Sequence, residues 1–192
     1  MGLGPVGVFT ETGEGGTYAI HVLLVYPSIE KFAAERETLE SDAEYLKAAA
    51  DYLAAKKDDP AFKRIESSFM VAFAGMPKLA LPKRASLLEL RTYESHNEER
   101  ARAKIDMFNS GEIPIFRDCG FETVFFGEGL VGAGLPHLKY MLAAPDMAAN
   151  EAGWQMFIAH LDWLAMRDLP EYKDTVSNIQ KLYLEPTAYS QV

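Results

Sequence analysis

Three residues in "SLLELRTYES" (86–95), Glu89, Arg91 and Tyr93, place a carboxylate, a permanent cation and a phenol at every second position. In a strand that spacing puts all three on one face. The same alternation in "HLKYMLAA" (137–144) sets Lys139 beside Met141, and in "QKLYLEP" (180–186) it sets Lys181 beside Tyr183 and Glu185. With these strands as neighbours, the polar groups are expected to converge on one face. The other face would carry Leu88, Leu90, Leu138, Leu142, Leu182 and Leu184 against helices. On the polar face Arg91 and Lys139 would anchor a carboxylate or enolate, Tyr93 and Tyr183 would donate hydrogen bonds, and Glu89 would act as a base. The plainer reading makes Glu89 and Arg91 a structural ion pair capped by tyrosine.

The elements that hold these residues follow from the surrounding pattern. After the strand at 86–95, Asn97 with Glu98 and Glu99 starts a helix whose apolar face carries Ile105, Phe108 and Ile115. "FETVFFGE" (121–128), a Gly-rich turn over 127–134 and "HLKYMLAA" make a hairpin. Asp146 caps a second helix bearing Trp154, Phe157, Ile158 and Leu161, and "QKLYLEP" closes the unit. Strand, helix, strand, strand, helix, strand is the split βαβ, ferredoxin-like order.

The chain also matches itself. An offset of 118 lays Gly2, Leu3, Val6 and Val8 on Gly120, Phe121, Val124 and Phe126, and Pro27 on Pro145. Farther on an offset of 110 lays "DDPAFKRIESSF" (58–69) on "DLPEYKDTVSNI" (168–179). The expected organisation is α+β: an incomplete N-terminal ferredoxin-like repeat over 1–80 and a complete one over 84–192. In the first, residues 6–10 and 17–26 form a hairpin about a turn at Gly13 to Gly16, Ser28 caps a helix, a further helix runs from 43 to 55, and 65–73 is the last strand. Its first strand and helix would precede Gly2. The first-repeat positions matching the polar face are His21, Leu23, Val71 and Phe73, mostly apolar. An inward His21 would ligate haem or shuttle a proton, or be a satisfied core histidine.

"LLELRTYES" (87–95), "GEIPIFRDCGF" (111–121), the spacing of Trp154, Phe157 and Trp163, and the terminal "LEPTAYS" (184–190) together resemble the NIPSNAP family. That resemblance covers residue 85 to the end. It implies a dimeric α/β-barrel type of fold, in which two ferredoxin-like sheets enclose a space, here formed between tandem repeats or in a homo-oligomer that repairs the missing strand. The function it implies is a small-molecule-binding or protein-interaction barrel for a small apolar or acidic ligand. The alternative is a cofactor-independent monooxygenase or isomerase acting on a small aromatic or acidic substrate.

Composition narrows the partners. Among 192 residues, 28 are acidic and 19 are Lys or Arg, a net charge of −9 that repels nucleic acid. No apolar run is long enough for a membrane span and no signal peptide begins the chain, so a cytoplasmic protein is the default unless a targeting segment precedes it. Cys119 is the single cysteine and reads as packing. The four histidines lack zinc-site spacing, so no metal is expected. "GEGLVG" (127–132) spells GxGxxG, yet it leads into no helix and implies no dinucleotide cofactor. "SIEK" (28–31) has the SxxK spacing without its partner motifs, and Ser28 is better placed as a cap.

Overall fold

Strand β4 (Leu87–Glu94) is the middle strand of the sheet and pairs along its length with a strand on either side. The computed structural model describes residues 4–12, 19–83 and 85–192. The expected turn at Gly13 to Gly16 and the match at Gly2 and Leu3 lie outside them. The strands are β1 (Gly7–Glu11), β2 (Ile20–Leu23), β3 (Phe69–Ala72), β4, β5 (Glu122–Val131), β6 (His137–Ala144) and β7 (Asn178–Pro186). They form one curled antiparallel sheet in the order β2-β1-β7-β4-β6-β5-β3. Within it β7-β4-β6-β5 is the ferredoxin-like order expected of residues 86–186, extended at both ends by strands from the first third of the chain.

The helices of this unit begin where capping residues stand. The Asn97 side chain accepts from the Arg100 backbone N–H at 2.9 Å and opens α4 (Glu98–Met107). Asp146 accepts from Ala149 N–H at 2.8 Å and opens α6 (Met147–Ala159). Between α4 and α5 (Ile113–Asp118) the backbone makes one π-helical turn over Phe108–Glu112. Pro114 is the second residue of α5, and a proline cannot donate to the carbonyl four residues before it. Gly120, at φ 88°, ends α5 in the left-handed region. A short α7 (Leu161–Arg167) completes the layer.

Two cores lie on opposite faces of the sheet. On the helix face Phe108, Phe116, Phe126, Tyr140 and Phe157 interlock, with Phe116 and Phe157 stacked 4.5 Å apart. On the inner face Phe9, Leu88, Val124, Met141, Ala143 and Leu184 are buried together, with Leu79, Ala85 and Val192 against them. Most of β6 is therefore buried on both sides.

Residues Met1–Pro5 and Leu24–Ser67 form a separate compact unit from Val6–Leu23 and Ser68–Val192. The smaller unit holds α1 (Ile29–Ser41), capped by Ser28, then α2 (Ala43–Ala48), capped by Asp42, and α3 (Ala50–Leu53).

Two sequence expectations change. The Gly-rich turn over 127–134 is shorter, since β5 runs on through Val131. Pairing with β3 holds it extended, with Met70 opposite Gly129 and Phe69 opposite Val131. The two faces also divide differently at β6, which bears directly on the site.

Candidate functional site

Register decides which side chains meet. Arg91 lies opposite Tyr140 on β6 and Lys181 on β7, while Glu89 lies opposite Leu142 and Tyr183. Glu89, Arg91, Tyr93 and Tyr183 therefore share a face with Leu138, Tyr140 and Leu142, and that face is the one covered by helices. Lys139 lies opposite Thr92 and belongs to the inner face with Leu88, Leu90, Met141 and Leu184. The expected convergence of Lys139 with Glu89 and Arg91 is corrected, as is the expected grouping of Leu138 and Leu142 with Leu88. The reason is a period of two: a register one residue away exchanges the faces, and "HLKYMLAA", apolar on both, carries no alternation to prevent the error.

On the helix face the polar residues form a closed network. The Glu89 carboxylate has no exposed surface and accepts from Arg91 Nε at 2.7 Å, Asn150 Nδ2 at 2.8 Å and Trp154 Nε1 at 2.6 Å. The Arg91 guanidinium lies 3.5 Å from the centre of the Trp154 ring, a cation–π stack. Arg91 also reaches the Tyr93 hydroxyl at 3.4 Å, and Tyr140 donates to that hydroxyl at 2.8 Å. Burial opposes the Arg91 charge, but the hydroxyls of Tyr140 and Tyr93 and the Glu89 carboxylate outweigh it and raise its pKa. Burial raises the phenols of Tyr93, Tyr140 and Tyr183 above their ordinary value, keeping them protonated at neutral pH.

Beside this network sits a pair that the sequence reading missed. Lys104 Nζ meets Glu112 Oε2 at 2.7 Å, with both side chains at most 5% exposed. The ammonium lies against the rings of Phe108, Trp163 and Tyr93 at 4.8, 5.3 and 5.6 Å. Burial raises the Glu112 pKa against the pull of Lys104. Eight residues apart on an α-helix, two side chains point about 80° away from each other. The π turn between them closes that angle, and nothing in the sequence short of recognising that turn signals the pair.

The inner face has a different character. Lys139 is half-buried, its ammonium has no ion-pair or hydrogen-bond partner among the described residues, and burial lowers its pKa. Leu90 and Met141 pair one step along the sheet, and Leu182, 37% exposed, continues that row. His21, opposite Phe9 on β1, shares this face, and its Nε2 lies 2.9 Å from Glu11 Oε1. His137, also on this face, is buried; its Nδ1 lies 3.2 Å from the Gly134 carbonyl and its Nε2 has no hydrogen-bond partner among the described residues. A Cβ at Gly129 would stand 2.6 Å from that Nε2, so the ring fills the space the glycine leaves.

The remaining candidates are plain. Cys119 is buried, and burial followed by the Asp118 charge raises its thiol pKa. The "GEGLVG" glycines lie largely within β5. Among the described residues no cluster of three His, Cys, Asp or Glu side chains could hold a metal, and no helix is long and apolar enough to cross a membrane. In the smaller unit Phe32, Leu39, Tyr45, Leu46 and Leu53 line a groove of about 440 Å³, with Tyr26 donating to Glu35 nearby.

Comparison with known proteins places this geometry. Residues 88–191, more than half of the chain, match the family model described as NIPSNAP. A NIPSNAP-like domain protein from Burkholderia xenovorans is 17% identical over 56% of this chain and 90% of its own, with a TM-score of 0.50. A NIPSNAP family protein with unknown function from Agrobacterium tumefaciens is 18% identical over 56% of this chain and 93% of its own, with a TM-score of 0.49. A candidate monooxygenase from Fusobacterium nucleatum is 9% identical, covers 100% of this chain and 81% of its own, and has a TM-score of 0.56. That last likeness extends over the whole chain and concerns the curled, ferredoxin-like half-barrel alone. No curated protein matches the chain.

Proposed function

This chain belongs to the NIPSNAP family, and on that premise we propose that the inner face of its half-barrel binds a small apolar molecule bearing a carboxylate, with Lys139 as its anchor. The observation that carries the reading is a half-buried ammonium without an anionic partner among the described residues, on a wall of Leu90, Met141 and Leu182. A cation in such surroundings has lost water without gaining a counter-charge, and an entering carboxylate supplies one. The apolar remainder of the ligand covers the leucines. Glu89, Arg91, Tyr93 and Tyr183 take the supporting role, because three donors already surround Glu89 and leave its lone pairs little to offer a substrate.

The test is a thermal-shift and calorimetric comparison of octanoate and benzoate with octanol and benzyl alcohol. Carboxylates are expected to stabilise and the matched alcohols to do so weakly. Lys139→Met should weaken carboxylate binding by roughly tenfold to a hundredfold, the worth of one charge-assisted hydrogen bond. Equal binding by acids and alcohols, or by Lys139→Met and the parent, overturns the reading.

A second reading is favoured by His21 and Glu11. A histidine held by a carboxylate on the same inner face is the arrangement of a proton-abstracting base, as a cofactor-independent monooxygenase or isomerase needs. It requires product formation from a bound acid or phenol, abolished in His21→Asn with binding intact. Binding without turnover leaves the ligand-binding reading alone.

A further inference from the structure

Three rows of side chains cross the inner face of β6, β4 and β7, and the registers fix their order. Met141, Leu90 and Leu182 stand side by side, then Lys139, Thr92 and Gln180, then His137, Glu94 and Asn178. Successive rows are two residues apart along each strand, about 7 Å. The face is therefore apolar toward Leu88 and polar toward Glu94, with Lys139 between them.

The last row holds an anion. One oxygen of the Glu94 carboxylate accepts from Gln180 Nε2 at 2.5 Å and the other from Asn178 Nδ2 at 3.1 Å. Both donors are neutral amides, and Glu94 has no ion-pair partner among the described residues. His137 stands directly opposite, but its ring lies against Gly129, with Nδ1 beside the Gly134 carbonyl. A carboxylate offers about four lone-pair sites, so two remain on Glu94, which is partly exposed. Glu89, with three donors and no exposed surface, has no such reserve. In the middle row the Thr92 hydroxyl has no hydrogen-bond partner among the described residues. Lys139 and Glu94 are diagonal neighbours on adjacent strands, and no ion pair joins them. Diagonal positions stand about 7–8 Å apart, a gap that one small ligand touching both can fill.

We propose that the carboxylate ligand of this face also carries an ammonium, and that its class is the apolar α-amino acid. The carboxylate meets Lys139 and the Thr92 hydroxyl, the ammonium meets Glu94, and the side chain lies along Leu90, Met141 and Leu182. This inference rests on the ligand-binding reading and extends it to the row beyond Lys139. A simple acid brings a second negative charge toward Glu94 with nothing to offset it. An ammonium on the neighbouring carbon removes that repulsion and adds a charge-assisted hydrogen bond. A simple amine satisfies Glu94 and leaves Lys139 without a counter-charge. The order of the rows sets the direction of the ligand, with its charged end toward Glu94 and its tail toward Leu88.

Calorimetry at neutral pH compares phenylalanine, phenylpropanoate and phenethylamine, which share one apolar skeleton, on the full chain and on Glu94→Gln. On the parent, phenylalanine is expected to bind roughly tenfold or more tightly than either of the others. In Glu94→Gln its advantage over phenylpropanoate should vanish, with phenylpropanoate bound as well as before or better. Phenylalanine bound no more tightly than phenylpropanoate by the parent, or an advantage that survives in Glu94→Gln, overturns this inference and leaves the Lys139 reading standing. Phenethylamine bound as tightly as phenylalanine overturns it as well, since the carboxylate then adds nothing. Binding of none of the three overturns both readings. The comparison on the parent chain decides without reference to how the variant folds.

Discussion

Trp154 holds Glu89 with its indole N–H at 2.6 Å while the Arg91 guanidinium lies on its ring at 3.5 Å. One aromatic side chain on α6 thus fixes both members of the ion pair on β4. Its neighbour one turn earlier, Asn150, adds a second hydrogen bond to the same carboxylate oxygen. Helix and sheet are joined here by charge as well as by apolar packing.

Glu89→Leu should therefore destabilise the chain by about 3–5 kcal/mol, because Arg91 would be left against the helix without its counter-charge. Trp154→Phe, which keeps the ring packing and loses the N–H, should cost about 1–3 kcal/mol. Urea unfolding followed by circular dichroism measures both. A cost below that of an ordinary surface substitution for Glu89→Leu would show that the network is not structural and would return Glu89 to the candidates for chemistry.

The Lys104–Glu112 pair should behave non-additively. Removing either charge alone, as in Lys104→Met or Glu112→Leu, leaves the other buried and should cost about 3–5 kcal/mol. The double variant should come back to within about 1 kcal/mol of the parent, since two apolar side chains need no partner. A double-mutant cycle in urea reads the coupling directly. Additive losses would mean that the aromatic rings around the ammonium, and not Glu112, carry its stabilisation.

Lys139 makes a prediction about pH. Burial lowers its pKa in the folded chain from the ordinary 10.5. The unfolded chain thus holds the proton more tightly, so stability rises with pH from the lowered pKa up to 10.5 and the penalty is greatest below that window. Relative to Lys139→Met, the parent should gain stability across this alkaline range. A saturating carboxylate should flatten the gain, because a bound counter-charge restores the pKa. A constant difference between parent and variant, free of ligand, would show that Lys139 is already solvated.

Much of the architecture was legible from local chemistry. Asn97 and Asp146 were readable as caps because short polar side chains satisfy the first backbone donors of a helix wherever they stand. Strands 86–95 and 180–186 were readable because one face of each is more polar than the other. Strand 137–144 was not, for it is apolar throughout and its register had to come from its neighbours. The π turn at Phe108–Glu112, and with it the Lys104–Glu112 pair, was likewise hidden.

By itself the amino-acid sequence determined the order of elements from residue 86 onward, the helix starts and the family resemblance, all of which depend on residues near one another in the chain. The tertiary structure decided that Lys139 faces away from Arg91, that Glu89 is enclosed by α6, and that β1, β2 and β3 extend one sheet at both ends. The physical reason is that facing and pairing in a sheet are set by register between distant segments. A shift of one residue leaves every local preference satisfied and exchanges the two faces.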